Sequence, residues 1–473
     1  MFIWQQYART QPHDIALRDF SQGAVFTWEE LNQLISTHAV KLRENGVGLT
    51  SIIAIQGRNH LDYITFYLAA LSLGMRVLGL NPAFSREKST ALCLANQVEL
   101  LIDLSHEQPE FVPFFSGERI SIPVMTFKEG TKSDDVELNP VNIAVEYART
   151  FTLTSGSTGL PKAVIHDISA HLENAKGVCE LMDFNAQSSW LLSLPLYHVS
   201  GQGIVWRWLL QGAELHLPSQ NFYEDCLQAS HLSLVPTQAW RLLELIEHKD
   251  KSAVAIQAIL LGGTAIAPEL TQKLLACGIQ VYVGYGMTEM ASTVFAKKCD
   301  GKLGVGKPLL GREFRIVDDE IWLRGAGMGR GYFVDGKRKP FVNDQGWFQT
   351  KDLAEWDGEN LLIHGRKDNM FISGGENIQP EEIETLLLQH HHVNQVYVVP
   401  KDDQEFGQRP VAFVEFLTDF NESAVENLRI WLSGKIEKFK QPVAYFPLQK
   451  QDGGQIKISR HELIQQVTQY IGK

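Results

Sequence analysis

The chain has 473 residues, of which 44% are hydrophobic and 21% are charged, a composition ordinary for a globular protein of about two to four domains. Its 43 basic and 55 acidic residues give a formal charge of −12, which excludes a general attraction to nucleic acid or to an anionic membrane surface. Five scattered cysteines without CxxC spacing predict reduced thiols in the cytoplasm, and the N-terminal residues show no signal-peptide pattern.

Helices and short apolar runs alternate through the first part of the chain. Thr27, with Glu30 three residues later, has the pattern of a capping box and predicts a helix that ends near Asn45, before Gly46. The apolar stretch from Tyr63 to Leu80 is interrupted by a glycine and an arginine, so it predicts a buried helix that runs into a strand and no stable membrane insertion. Other runs predict strands at Ile52–Ile55, Val77–Leu80 and Leu100–Asp103 and a helix at Ser85–Asn96.

The same alternation continues after residue 150, which predicts α/β sheets with mostly parallel strands. The strands of this second series are predicted at Trp190–Leu194, Ala213–Leu217, Leu232–Val235, Ala258–Leu261 and Gln280–Val283. From about Lys302, glycine-punctuated pieces predict antiparallel strands at Phe314–Val317, Glu320–Leu323 and Leu361–Ile363. The last region predicts a helix at Pro380–His390, strands at Val396–Val399 and Val411–Leu417, and a helix at Ala424–Phe439. Three consecutive histidines from His390 are interpreted as the end of a helix, with a metal site as the alternative.

The stretch from Thr152 to Val164 has almost no side chain that a core could bury. Its hydroxyls, glycines and lysine are Thr154, Ser155, Gly156, Ser157, Thr158, Gly159 and Lys162. Backbone N–H groups of such a loop form a concavity that suits an anion, so the stretch predicts a phosphate-binding loop at a strand end, with Val141–Leu153 leading into it. A flexible linker is the alternative, but apolar runs flank the loop closely. Because Pro161 precedes the lysine and Ala163 follows it, the loop is not a Walker A motif.

Five further stretches follow in order. They are PLYHVSG at Pro195–Gly201, GYGMTE at Gly284–Glu289, TKDL at Thr350–Leu353, GRKDNMFISGGENIQPEEIE at Gly365–Glu384 and GGQIKISR at Gly453–Arg460. With TSGSTGLPK, they resemble in order and spacing the core motifs of the acyl-adenylate-forming superfamily of acyl-CoA synthetases, peptide-synthetase adenylation domains and luciferases. The resemblance implies a large N-terminal domain, residues 1–367, of two α/β subdomains and a small β-rich subdomain, and a small mobile α+β domain, residues 368–473.

Four segments are similar to one subfamily, the o-succinylbenzoate–CoA ligases of menaquinone biosynthesis. They are LPLYHVSGQGIVWRWL at Leu194–Leu209, SLVPTQAWRLL at Ser233–Leu243, EFGQRPVA at Glu405–Ala412 and the closing GGQIKISR. This likeness implies that ATP activates the succinyl carboxylate as an acyl-adenylate and that coenzyme A then displaces AMP. The alternatives are another aryl or fatty acyl-CoA ligase, and a non-catalytic nucleotide-binding protein that has kept the fold.

The resemblance implies a site for ATP, Mg²⁺ and coenzyme A. Lys457 matches the lysine that contacts the carboxylate and the α-phosphate, although Ile456 replaces the usual glycine before it. Glu289, with Thr154, would bind magnesium, while Asp352 and Arg366 would contact the ribose. Tyr285 would stack on adenine. The other ATP-binding positions are Ser155, Gly156, Ser157, Thr158, Gly159, Lys162, Gly262, Gly263, Thr264, Gly284, Gly286, Met287 and Thr288.

The remaining implied positions concern the acyl group, coenzyme A and the hinge. Arg207 is the candidate partner of the aromatic carboxylate, and a surface or interdomain salt bridge is its alternative role. His198 would place the substrate rather than transfer a proton, with hydrogen bonds from Ser200, Thr237 and Ser292. Asp368 matches the hinge between the two domains, and Gly374 and Gly375 match residues that line the pantetheine tunnel.

Overall fold

A computed structural model describes residues 1–106, 108–114, 140–154, 161–264, 266–448 and 458–471. The described part of the chain forms sheets of nine, eight, four and five strands. The multi-sheet α/β and α+β architecture predicted from the sequence is confirmed. No helix among these residues has both the length and the apolar character needed to cross a bilayer.

The N-terminal residues supply strands to both large sheets. Their elements are α1 (Ile3–Thr10), β1 (Ile15–Asp19), β2 (Ala24–Thr27), α2 (Trp28–Glu44), β3 (Ile52–Gln56), α3 (Leu61–Ser72), β4 (Arg76–Leu80), α4 (Arg86–Ala95), β5 (Leu100–Asp103) and β6 (Glu110–Pro113). The capping box of α2 is confirmed, because the Glu30 amide donates to Thr27 Oγ1 over 3.3 Å and the Thr27 amide donates to Glu30 Oε2 over 2.9 Å. The stretch from Tyr63 to Leu80 is a buried helix followed by a strand, as predicted.

The middle of the chain completes the nine-stranded sheet and adds two strands to the eight-stranded one. Its elements are α5 (Pro140–Tyr147), β7 (Arg149–Leu153), β8 (Ala163–Asp167), α6 (Ile168–Met182), β9 (Ser189–Leu191), α7 (Val199–Gln211), β10 (Glu214–Leu217), α8 (Phe222–Cys226), β11 (His231–Leu234), α9 (Pro236–Glu247), β12 (Ala258–Leu261), α10 (Pro268–Ala276), β13 (Gln280–Met287), β14 (Ser292–Lys298) and β15 (Lys307–Pro308). Short 3₁₀ turns occupy Lys251–Ala253 and Thr288–Met290. Only part of the run from Val141 to Leu153 is a strand, because Pro140 starts a helix that buries Ala144 and Ala148.

The later residues form two smaller sheets and the far edge of the eight-stranded one. Their elements are β16 (Arg312–Val317), β17 (Glu320–Gly325), β18 (Gly331–Val334), β19 (Lys337–Lys339), β20 (Phe348–Trp356), β21 (Leu361–Arg366), β22 (Phe371–Ser373), β23 (Glu376–Ile378), α11 (Pro380–Leu387), β24 (Val393–Asp403), β25 (Gly407–Phe416), α12 (Glu422–Leu432), β26 (Tyr445–Pro447) and α13 (Arg460–Ile471), with a 3₁₀ turn at Lys438–Lys440. The prediction of a helix from Ala424 to Phe439 was too long. Gly434 adopts a positive φ of 77° and ends it.

The order and direction of the strands define the architecture of the sheets. The nine-stranded sheet runs β15-β14-β13-β12-β11-β9-β10-β1-β2, and the eight-stranded sheet runs β19-β18-β8-β7-β4-β3-β5-β6. Their central strands are parallel, as predicted, but the outer strands and the β7–β8 hairpin are antiparallel. Helices α3, α6 and α7 share one hydrophobic core with both sheets. The antiparallel sheet predicted after Lys302 is present, in the order β16-β17-β20-β21.

The C-terminal sheet, β23-β22-β25-β24 with β26 beside β25, carries its own apolar clusters. The three histidines follow α11, which ends at Leu387. Their rings pack against one another, and the His390 ring packs edge-on against Trp431. Among the described residues, metal-ligand geometry occurs at Asp103, His106 and Glu110 instead. The division of the chain between residues 367 and 368 stays a prediction.

Arg460 joins α13 to this sheet through a partly buried ion pair. Its guanidinium contacts Glu384 at 2.7 Å and donates to the Val398 carbonyl at 2.6 Å, while Glu384 accepts from the Val398 amide at 2.6 Å. Burial raises the pKa of Glu384 above its ordinary value, although the neighbouring guanidinium opposes this. Arg460 therefore holds the segment that follows Lys457.

We predict that Arg460→Met destabilises the C-terminal sheet by about 3 kcal/mol, because it leaves the Glu384 carboxylate buried and unpaired. Hydrogen–deuterium exchange over residues 371–448 measures the change. Adding Glu384→Gln should restore most of the protection, since glutamine carries no charge and still accepts from Val398. Unchanged exchange in Arg460→Met would contradict the assignment.

Candidate active site

The two ends of the predicted phosphate loop meet at the loop end of the β7–β8 hairpin, where Leu153 pairs with Ala163. The Thr154 amide donates to the Lys162 carbonyl over 2.9 Å, and Thr154 Oγ1 donates to the same oxygen over 3.3 Å. The rest of the loop, Ser155, Gly156, Ser157, Thr158 and Gly159, lies outside the described residues. The hairpin thus fixes where the loop begins and ends.

Tyr332 on β18 connects this loop to the nine-stranded sheet. Lys162 Nζ lies 5.4 Å from the centre of the Tyr332 ring, and the Tyr332 hydroxyl donates to Glu289 Oε1 over 2.8 Å. Burial, and then the Glu289 carboxylate, raise the pKa of Tyr332, so the phenol keeps the proton that it donates. Thr154 and Lys162 therefore adjoin β7 and β8, and this strand pair lies beside Tyr332, which donates a hydrogen bond to Glu289.

Glu289 occupies the 3₁₀ turn directly after β13. Its backbone carbonyl accepts from the Gly329 amide over 2.8 Å, and its half-buried carboxylate accepts one hydrogen bond from Tyr332. A carboxylate offers about four lone pairs, so this single bond leaves capacity for a hard cation. The carboxylate thus fits magnesium in charge and ligand type.

A buried carboxylate, Asp352, joins β13 to the four-stranded sheet. It accepts a hydrogen bond from the hydroxyl of Tyr285 and forms an ion pair with Arg366 Nη1 at 2.9 Å. Asp352 and Arg366 are directly opposite each other in the β20–β21 ladder. Burial, and then Asp352, raise the pKa of Tyr285, so Tyr285 is a donor at neutral pH. The ring of Tyr285 is therefore held at a defined position beside two side chains predicted to contact the ribose.

Glycines allow the neighbouring backbone segments to approach each other closely. A Cβ on Gly286 would lie 2.2 Å from the Ser292 carbonyl oxygen, and a Cβ on Gly262 would lie 3.2 Å from the Gly284 carbonyl oxygen. Gly263 has a φ of 92°, which a residue with a side chain rarely adopts. Thr264 follows it, and Met287 and Thr288 lie between Gly286 and Glu289. The structure thus brings the end of β12 against the GYGMTE segment of β13.

Arg207 is almost completely buried in α7, with 1% of its surface exposed. Nη1 donates to Ser233 Oγ over 3.2 Å, Nη2 contacts Thr293 Oγ1 at 3.5 Å, and the guanidinium lies 4.9 Å from the Trp190 ring centre. No acidic side chain among the described residues forms a salt bridge with it, and its burial contradicts the alternative of a surface ion pair. Burial lowers the pKa of Arg207 to about 10, well above neutrality, so the side chain is a buried cation.

The other residues predicted for the acyl group are divided between two places. Ser200 and Arg207 are seven residues apart on α7, so they share a helix face with Gly203 between them. A Cβ on Gly203 would lie 3.2 Å from both Arg207 Nη2 and Ser292 Oγ, which shows that Ser292 faces the guanidinium. His198 is the residue before α7 and packs its ring against Tyr197. Thr237 lies in the first turn of α9, on a different element from Arg207.

The hinge and tunnel residues lie beyond β21. Asp368 accepts from Arg366 Nε over 2.9 Å and from Nη2 over 3.2 Å, and Lys351 Nζ lies 3.6 Å away. Burial raises the pKa of Asp368, but the Arg366 guanidinium outweighs it and the net shift is downward. Gly374 and Gly375 form the β22–β23 turn with φ values of 59° and 90°. Lys457 lies outside the described residues.

Sequence reasoning missed three side chains that shape this site. Ser233 and Thr293 contact Arg207, and Tyr332 holds Glu289. Ser233 opens one of the segments that resemble the subfamily, and Thr293 follows a predicted substrate residue, so both had a nearby signal. Tyr332 belongs to none of the motifs, and its role depends on the pairing of β18 with β8.

Comparisons with known proteins agree with this architecture. The pattern described as AMP-binding enzyme matches residues 4–333, and the pattern described as AMP-binding enzyme C-terminal domain matches residues 382–452. The chain is 50% identical to the 2-succinylbenzoate–CoA ligase of Haemophilus influenzae and 41% identical to that of Escherichia coli, over 98% and 97% of this chain and the same shares of those proteins. A solved structure of an Escherichia coli MenE variant with bound OSB-AMS matches with a TM-score of 0.82 and 37% identity, over 98% of each chain. The chain therefore belongs to the AMP-binding enzyme family.

Proposed function

We propose that this protein is an o-succinylbenzoate–CoA ligase. It uses ATP to convert the succinyl carboxylate of o-succinylbenzoate into an acyl-adenylate, and it then transfers the acyl group to coenzyme A. The observation that carries the proposal is 50% identity to a 2-succinylbenzoate–CoA ligase over 98% of both chains. The buried guanidinium of Arg207 supports it, because o-succinylbenzoate has a second carboxylate that needs a cationic partner.

Two displacements make up the reaction. In the first, a carboxylate oxygen attacks the α-phosphorus of ATP and the bond from that phosphorus to the β-phosphate oxygen breaks, releasing pyrophosphate. In the second, the coenzyme A thiolate attacks the acyl carbon and the bond to the adenylate oxygen breaks, releasing AMP. The first step brings two anions together, so the site must supply positive charge and hydrogen-bond donors to the phosphates.

The residues that the resemblance assigns to ATP carry suitable donors. Thr154, Lys162 and the loop between them would hold the β- and γ-phosphates, while Lys457 would contact the reacting carboxylate and the α-phosphate. Magnesium would neutralise phosphate charge, and Glu289 would be its protein ligand. Asp352 and Arg366 would bind the ribose hydroxyls, next to adenine stacked on Tyr285 and lined by the backbone of Gly262, Gly263 and Thr264.

The aromatic carboxylate would bind the Arg207 guanidinium in a bidentate manner. Ser233 and Thr293 satisfy some guanidinium N–H groups but are neutral, so they leave its charge to be compensated by the ligand. Ser200 and Ser292 lie on the same side of α7 and would add hydrogen bonds. His198 would place the acyl chain of the substrate, and Thr237 would add a hydrogen bond to it.

The two half-reactions would use one site in two conformations. Rotation of the C-terminal domain about Asp368 would withdraw Lys457 after adenylation and bring Gly374 and Gly375 to the coenzyme A tunnel. The positive φ of both glycines allows a turn without side chains, which suits a narrow passage for pantetheine. We place the reaction in the cytoplasm, and the five free cysteines of the structure support that location.

The proposed substrate is tested with a panel of carboxylates in ATP–pyrophosphate exchange. We expect kcat/KM for o-succinylbenzoate to exceed that for benzoate and hexanoate by about 10²-fold or more, because those acids leave Arg207 unpaired. Equal activity on benzoate or hexanoate would favour the alternative of a general aryl or fatty acyl-CoA ligase. No exchange with any acid would favour a non-catalytic nucleotide-binding protein.

The role of Arg207 is tested by pairing a substitution with a substrate analogue. Arg207→Met should lower kcat/KM for o-succinylbenzoate by about 10²-fold, because it removes one partner of a buried charge pair. It should leave 4-oxo-4-phenylbutanoate, which lacks the aromatic carboxylate, unaffected or improved, and this activity also shows that the variant is folded. Arg207→Lys keeps the charge but lacks the planar guanidinium, so its kcat/KM for o-succinylbenzoate should fall by less than that of Arg207→Met. Equal losses on both acids would contradict the pairing.

The role of Lys457 is tested by separating the half-reactions. Lys457→Ala should reduce adenylation by about 10²-fold or more, because charge neutralisation at the α-phosphate is lost. Thioester formation from pre-made acyl-adenylate and coenzyme A should be largely retained. Lys438→Ala, at an exposed position of the same domain, is the control and should change neither step. A parallel fall of both steps would argue against a two-conformation mechanism.

A further inference from the structure

Four arginines surround a cavity on the eight-stranded sheet, apart from the site described above. The cavity has a volume of about 380 Å³, and Arg76, Arg149, Arg330 and Arg338 line it. Arg76 and Arg149 are directly opposite each other at the starts of β4 and β7. Thr154 follows the end of β7, five residues and about 17 Å along the strand from Arg149. The cavity and the phosphate loop are therefore at opposite ends of this strand.

The strand register also places the cavity on the other face of the sheet from Glu289. Phe151 pairs with Ile165, and Phe333 pairs with Arg338, and all of these residues line the cavity. Tyr332 adjoins Phe333, so its side chain points to the opposite face, where it donates to Glu289. The floor of the cavity is apolar and includes two aromatic rings, those of Phe151 and Phe333, with centres 5.0 Å apart.

Positive charge in this cavity exceeds the negative charge around it. One carboxylate, that of Asp167, forms ion pairs with both Arg149 and Arg330. The pKa of Arg149 is nevertheless lowered, first by burial and then by Arg330 and Arg76, against the opposing effects of Asp167 and Glu146. Four guanidinium groups thus line the cavity, whereas Asp167 and the exposed Glu146 both lie outside the residues that line it.

We propose that this cavity is a second ligand site, which binds an aromatic anion with a carboxylate or phosphate group. Guanidinium groups bind both kinds of anion through paired N–H···O bonds, and they also stack on aromatic rings. A volume of about 380 Å³ falls within the usual range of small-molecule sites, which combine an apolar lining with a few polar groups. The proposal is independent of the acid that the candidate active site activates.

The test is isothermal titration of the full chain with 1-naphthoate and with 1-naphthyl phosphate, in the presence of excess OSB-AMS. We expect one equivalent of probe to bind with a Kd of about 1 mM or tighter. In the double variant Arg76→Ala/Arg338→Ala the Kd should rise about tenfold or more, because half of the guanidinium groups are lost. Arg76 is half-buried and Arg338 is exposed, so the variant should fold, and unchanged ATP–pyrophosphate exchange would confirm that it does.

Arg43→Ala is the matched control, since Arg43 is exposed on α2 and lies outside the cavity. It should bind both probes as the unaltered protein does. The probe that binds more tightly identifies carboxylate or phosphate as the preferred group. Absence of saturable binding, or equal affinity in the double variant, would overturn the proposal. Equally tight binding of neutral 1-naphthol would overturn it as well, because the arginines would then play no part.

Discussion

Two hydrogen bonds from tyrosine to carboxylate bring three sheets together at the candidate active site. Tyr332 of the eight-stranded sheet donates to Glu289, and Tyr285 of the nine-stranded sheet donates to Asp352 of the four-stranded sheet. In both pairs burial and the carboxylate keep the phenol protonated, so the donor is retained at neutral pH. These two bonds connect the predicted phosphate loop, the predicted magnesium ligand Glu289 and the predicted ribose contact Asp352, which belong to different parts of the chain.

Arg366 extends this network toward the C-terminal residues. Its guanidinium pairs with Asp352 through Nη1 and with Asp368 through Nε and Nη2, so one side chain contacts both the proposed ribose site and the proposed hinge. A ribose that bound Asp352 and Arg366 would compete for some of the guanidinium N–H groups of Arg366. Occupancy of the nucleotide site would then alter the contacts of Asp368, which is a direct physical route from nucleotide binding to hinge motion.

Contiguous motifs made most of the site predictable from sequence. Glu289, Tyr285, Asp352 and Arg366 lie in short segments whose spacing matched the superfamily. The structure brings Tyr285, Asp352 and Arg366 into contact, with Glu289 on the turn that follows β13. Tyr332 was not predictable, because its place next to Glu289 arises from the pairing of β18 with β8, in which Gly331 lies opposite Ile165, 166 positions earlier in the chain. Two predicted boundaries were wrong. The helix that begins at Pro140 occupies the first part of the predicted run Val141–Leu153, and Gly434 ends α12 early.

Arg207 shows how an acidic protein can select an anion. A formal charge of −12 disfavours anions over the surface as a whole, but a guanidinium that is 1% exposed acts only at close range. Ser233 and Thr293 hold the cation in place without neutralising it, so its desolvation remains partly uncompensated until a carboxylate arrives. An acid without the second carboxylate would enclose that unpaired charge, whereas o-succinylbenzoate would neutralise it. In the proposed function, selectivity would therefore arise as much from the cost imposed on other acids as from the contact made with o-succinylbenzoate.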